Sequence, residues 1–108
     1  MAGYLPHSDK LWYANAVKLL ILYRPNAEHA TTVESFIRDL LRQHENVAQH
    51  LEVLSLNTRE GVAMASLYDI VSSPAIVALA SDGAVLKLWQ GMPLPLMNEV
   101  AGYVYAVD

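Results

Sequence analysis

The chain contains no cysteine. That removes disulfides, thiolate nucleophiles, iron–sulfur clusters and Cys-ligated zinc from its functions. It has no apolar run near the roughly 18 residues that a membrane-spanning helix needs, so no membrane association is expected. The first residues, MAGYLPHSDK, show no basic segment followed by an apolar one. No secretory leader is therefore expected, and the location expected is cytoplasmic. Charge is sparse, at 17%, and the seven Lys and Arg are scattered through a chain of net charge −4. Nucleic acid, which needs a clustered basic face, is not an expected partner. His7, His29, His44 and His50 form no H-x-x-x-H pair or compact cluster, so neither a metal site nor a cofactor is expected. The glycines fall in no phosphate-cradling pattern, and no serine stands in a nucleophile-elbow context. Internal repeats and low-complexity segments are missing too.

What is present is enough apolar material for one domain: 108 residues, 54% of them hydrophobic. The organising stretch is Val71 to Gly91, VSSPAIVALASDGAVLKLWQG. Asp82-Gly83 between two apolar runs predicts a hairpin with a two-residue type I′ turn. Ala75 to Ala80 is almost wholly apolar, which predicts a strand covered on both faces. Ala84 to Trp89 alternates, with Val85, Lys87 and Trp89 expected on one face and Leu86 and Leu88 on the other. Pro74 cannot donate to a ladder and belongs at the start of its strand.

The other elements follow from periodicity. Residues 1–16 read as an N-terminal arm covering a sheet edge, ahead of a single domain over 17–108. Val17 to Tyr23, VKLLILY, predicts a buried strand, which Pro25 stops. Val33, Phe36, Ile37, Leu40 and Leu41 recur at helical spacing. Two starts compete for that helix: Asn26 as cap with Ala27 as first residue, or a Thr31–Glu34 capping box. The earlier start is preferred. Leu51 to Leu56 predicts a second strand, Asn57-Thr58 a turn and cap, and Arg59 to Tyr68 a shorter helix weakened by Gly61. Pro95 suits the first turn of a last helix, Pro95 to Tyr105, with Leu96, Val100 and Tyr103 on one face. The order is β-α-β-α-β-β-α, an α/β fold with a mixed central sheet flanked by helices.

Four pieces in this order carry a family resemblance: VKLLILY running into a loop and long helix, YDIVSSPAIVAL, SDGAV, and Gly91. Together they resemble the thioredoxin-like superfamily from Val17 to Val104. The resemblance implies a cis-proline at Pro74 and places the family's Cys-x-x-Cys motif on Ala27-Glu28-His29-Ala30. Alanine stands at both thiol positions. The family's buried acid would fall at Ile21, its aromatic before the first thiol at Asn26 and its second-strand lysine near Ser55, so these supports are missing as well. The pattern points to a redox-inactive member rather than an enzyme. The alternative function is a thiol-disulfide oxidoreductase in a cysteine-free, Cys-to-Ala form. His29 keeps it open, because some thiol oxidases of the superfamily carry histidine just before the second cysteine. A third explanation is a different register, in which the two alanines are coincidental.

In the family, the loop before the long helix, the proline loop and the glycine after the hairpin meet at one end of the sheet. There they bind extended peptide, partly through the backbone of the residue before proline. Carried over, that surface is Tyr23, Arg24, Pro25, Asn26, Ala27, Glu28, His29, Ala30, Ser73, Pro74, Gly91 and Met92. The competing view is that these residues merely close one end of the fold. Glu28 and His29 make no acid–base pair, because helix neighbours diverge by about 100°. The expected function is a protein- or peptide-binding or adaptor module. A homodimer through Met97, Tyr103 and Tyr105 is the alternative to core packing of the last helix.

Overall fold

Lys18–Tyr23 forms β1, in which four consecutive residues, Leu19 to Leu22, are at most 1% exposed. A strand buried on both faces must have sheet neighbours and helices on either side. The computed structural model describes residues 18–105; Val17, the expected N-terminal arm and residues 106–108 lie outside them. After β1 come helix α1 (Ala30–Gln43), a 3-10 helix (Glu45–His50), β2 (Leu51–Ser55) and α2 (Arg59–Leu67). Then follow β3 (Ala75–Leu79), β4 (Val85–Gln90) and α3 (Met97–Tyr105). The sheet order is β2-β1-β3-β4. β1 runs parallel to β2 and antiparallel to β3, and β3 is antiparallel to β4.

Strand period two divides the core. Leu19, Ile21, Ile76 and Ala78 face one way and pack with Val33, Phe36 and Leu40 of α1 and Val100, Ala101 and Val104 of α3. Leu20, Leu22, Val77 and Leu79 face the other way, with Leu54 and Leu56, beneath Met64 and Ala65 of α2. Among the described residues no polar or charged side chain is buried. No helix among them is long and apolar enough to cross a membrane. Met97 and Tyr103 pack on the first core, and the Tyr103 ring meets Trp89 edge-on at 5.4 Å.

Five local features differ from the sequence reading, each for a physical reason. First, α1 starts at Ala30, with His29 at the N-cap, and not at Ala27 behind Asn26. Pro25 has φ fixed near about −65°, which suits the second position of a tight turn. The Ala27 N–H closes that turn on the Arg24 carbonyl (3.0 Å), and the Ala30 N–H closes another on the Ala27 carbonyl (3.1 Å). Second, the hairpin is a three-residue loop. Only Gly83 takes positive φ (89°), whereas type I′ demands it at Asp82 as well. The Gly83 N–H donates to the Ala80 carbonyl, and the Asp82 carboxylate accepts from the Ala84 N–H.

Third, β4 carries a bulge: Lys87 faces Ala78 while Val85 faces Leu79, which leaves Leu86 unpaired. The extra residue breaks the strict alternation, so Leu86 packs with Trp89 on the first core and Leu88 on the second. Fourth, α3 begins at Met97, not Pro95, and Leu96 is 75% exposed. Leu96 sits where the helix starts, its carbonyl accepting from the Val100 N–H (3.2 Å). Lying before the first helical residue, it is off the helical phase that Val100 follows. Fifth, the 3-10 helix over Glu45–His50 has no counterpart in the sequence reading; ENVAQH shows no periodicity, yet Val47 is fully buried.

Candidate functional site

The register brings three loops to one end of the sheet. Leu22 of β1 pairs with Ala75 of β3, and Ala75 pairs with Gln90 of β4. The end of β1, the start of β3 and the end of β4 are therefore side by side. From them emerge the turn at residues 24–29, the segment at residues 70–74 and Gly91-Met92.

The middle segment is held from behind. The Gln90 side-chain oxygen accepts from the Val71 N–H (2.8 Å) and the Ser72 N–H (3.0 Å). The Gly91 N–H donates to the Pro74 carbonyl (2.8 Å), and Gly91 takes φ of 77°, which favours a residue without a side chain. The Ser73–Pro74 and Met92–Pro93 peptide bonds are both cis. Between these tethers, the Ser73 N–H and carbonyl have no partner among the described residues, and Ser73 is half-buried.

Two clefts flank Ser73. The first, a shallow depression of about 10 Å³, is lined by Tyr23, Arg24, Ala27, His29, Ala30, Val33, Ser73 and Pro74. It lies on the α1 face of the sheet, since Val33 belongs to that core. The second, about 120 Å³, is lined by Arg24, Leu56, Ala65, Ile70, Val71, Ser72 and Ser73. Leu56, Ala65 and Ile70 place it on the α2 face. Arg24 and Ser73 line both.

Of the residues singled out in the sequence, Tyr23, His29, Ser73 and Pro74 come together at the first cleft, with Arg24, Ala27 and Ala30. Pro25, Asn26 and Glu28 form the adjoining turn without lining either cleft, and Gly91 sits behind Pro74. Met92 is 41% exposed and lines neither. Sequence reasoning missed Gln90 and the whole second cleft. A polar residue closing the strand after Leu88 and Trp89 was the one sign available for Gln90.

The chemistry on offer is limited. Ala27 is exposed and Ala30 buried, and Ile21, where the resemblance places an acid, is 1% exposed within the apolar core. Ser55, near the family's lysine position, spends its hydroxyl oxygen on the Asn57 N–H (3.0 Å). No three His, Asp or Glu side chains among the described residues are grouped to hold a metal ion. The Tyr23 hydroxyl donates to Glu34 Oε2 at 2.8 Å. That bond, aided by burial and by the nearby negative charge, raises the phenol above its ordinary value of 10.0. Arg24 has no carboxylate partner among the described residues, whereas Lys18 pairs with Glu52 and Arg42 with Asp39.

No family model and no curated relative matches the sequence. Solved structures do. The chain superposes on an uncharacterised thioredoxin-like protein from Clostridium perfringens with a TM-score of 0.64 and 14% identity, over 87% of this chain and 74% of that one. It also superposes on Deadhead, the germline-specific thioredoxin of Drosophila melanogaster, at 0.59 and 16% identity, over 95% and 91%. The chain has the thioredoxin fold. Mitochondrial thioredoxin 3 of Saccharomyces cerevisiae shares it at 0.55 and 14% identity, over 79% of this chain and 76% of that one. Identities this low speak for the thioredoxin fold alone, since one fold hosts many functions. Ala27 and Ala30, where the resemblance puts the two thiols, line the first cleft.

Proposed function

We propose that this chain is a redox-inactive thioredoxin-fold module that binds a protein partner through an extended polypeptide segment at the Ser73 end of the sheet. The observation that carries this reading is the unpartnered Ser73 N–H and carbonyl beside a preformed cleft. A backbone donor and acceptor left without protein partners at a cleft are available to an incoming chain. An extended chain satisfies both at once, in the manner of strand addition, with a small side chain lying over the adjoining depression. The redox-inactive part rests on the absence of cysteine and on the apolar Ile21 at the position where the resemblance puts an acid.

The test uses the 15N-labelled protein and reduced, carboxamidomethylated α-lactalbumin, a permanently unfolded polypeptide. Titration should shift the Ser73 and His29 amides before those of β2. Ala27→Trp places a large ring at an exposed position on the cleft wall. It should weaken binding by about tenfold or more, the scale of a blocked hot spot, and leave thermal stability unchanged. Shifts confined to other surfaces, or equal binding by Ala27→Trp, would overturn the proposal.

A further inference from the structure

The second cleft has its own chemistry, and it meets the first at two residues. We infer that it is a carboxylate-accepting subsite, so that the bound segment carries Asp or Glu immediately beside the residue lying over the first cleft. This rests on the reading of the Ser73 end as a polypeptide-binding surface and names the class of segment it takes.

The argument starts from strand geometry. An extended chain paired to the Ser73 backbone sends successive side chains to opposite sides. The two clefts lie on opposite faces of the sheet and share only Arg24 and Ser73. One side chain therefore lies over the α1-face cleft, and its neighbour reaches the α2-face cleft. The linings select for different chemistry. Ala27, Ala30, Val33 and Pro74 give the first an apolar and narrow floor. The second presents Arg24 and the hydroxyls of Ser72 and Ser73 over an apolar base of Leu56, Ala65 and Ile70.

Charge sets the sign of the ligand. Arg24 is exposed and has no carboxylate partner among the described residues. No Asp or Glu lines either cleft, and Glu34, next to the first, is engaged by the Tyr23 hydroxyl. A planar fork of donors flanked by hydroxyls suits a carboxylate better than any neutral group. The Gln90 tether on Val71 and Ser72 fixes the wall that carries those hydroxyls.

Two acetylated nonapeptides test it, identical except for an Ala-Glu or an Ala-Gln pair at the centre of a Gly/Ser chain. Both are titrated into the 15N-labelled protein at low salt, with the Ser73 amide as the reporter. The Glu peptide should bind about fivefold more tightly, as expected for one exposed but well-oriented ion pair. That preference should vanish in Arg24→Gln and shrink at high salt. Equal affinities, or a preference that survives Arg24→Gln, would overturn the carboxylate subsite and leave polypeptide binding standing. No movement of Ser73 with either peptide would overturn both.

Discussion

Gly61 lies where α2 comes closest to the sheet. A Cβ built there would overlap the Ser55 carbonyl oxygen, which already accepts from the Thr58 hydroxyl (2.7 Å) and the Thr58 N–H (3.2 Å). In the sequence, Gly61 reads as a weak spot in a helix. In the structure it is the residue that lets the helix dock. Gly61→Ala should therefore lose about 2 kcal/mol in urea unfolding, overpacking outweighing the better helix propensity of alanine. Thr58 caps the same helix by accepting from the Gly61 N–H (3.0 Å), and Thr58→Ala should cost about 1 kcal/mol. Tyr23 makes a pH prediction. Its phenol is raised above 10.0, first by the bond to Glu34. A group whose folded value lies above its unfolded one stabilises fully below the unfolded value and loses that contribution as pH rises through the folded one. Difference absorbance at 295 nm between the protein and Tyr23→Phe should show this tyrosine ionising above 10.0. The stability gap between the two proteins should hold at neutral pH and close in strong alkali.

Elements were legible where one period dominated. LLIL in β1 and AIVAL in β3 could be read as buried on both faces, and Val33, Phe36 and Leu40 as the buried stripe of α1, because burial itself writes those patterns. Truncating that stripe should be severe: Leu40, 0% exposed, should cost about 2–5 kcal/mol as Leu40→Ala in chemical denaturation. The start of α1 was not legible, because Asn26 is a good cap wherever it stands. Two consecutive backbone turns, set by Pro25, postpone the helix to Ala30. The bulge in β4 was hidden as well, since residues 84–89 alternate whether or not one of them is skipped in pairing. At the candidate site, Tyr23, His29, Ser73 and Pro74 could be gathered through the family resemblance. The Gln90 tether could not, because it joins a side chain to backbone groups 18 and 19 residues away. Gln90→Leu keeps the size but removes the acceptor. It should speed amide hydrogen exchange at Val71 and Ser72 while leaving that of β1 unchanged.

At the scale of the whole molecule, the question is how much of a fold's chemistry the scaffold supplies without its reactive residues. α1 begins at Ala30, after Ala27 where the resemblance puts the first thiol, and Ile21, where it puts the acid, is apolar. Ala27→Cys/Ala30→Cys should therefore reduce insulin no faster than a small dithiol. Efficient turnover, with a potential in the range of roughly −120 to −270 mV found across dithiol oxidoreductases, would instead mark a scaffold that had merely been stripped of its cysteines. The sheet order has a consequence for biosynthesis. β1 is an inner strand, but its neighbour β3 comes late in the chain, with Leu22 meeting Ala75. A ribosome adding about 5–20 residues per second therefore releases the LLIL segment several seconds before its second flank exists. During that interval one edge of this largely apolar strand lacks its β3 neighbour. Nascent chains arrested before residue 75 should thus be the species that aggregates or recruits chaperones, and those arrested past the β4 hairpin should not.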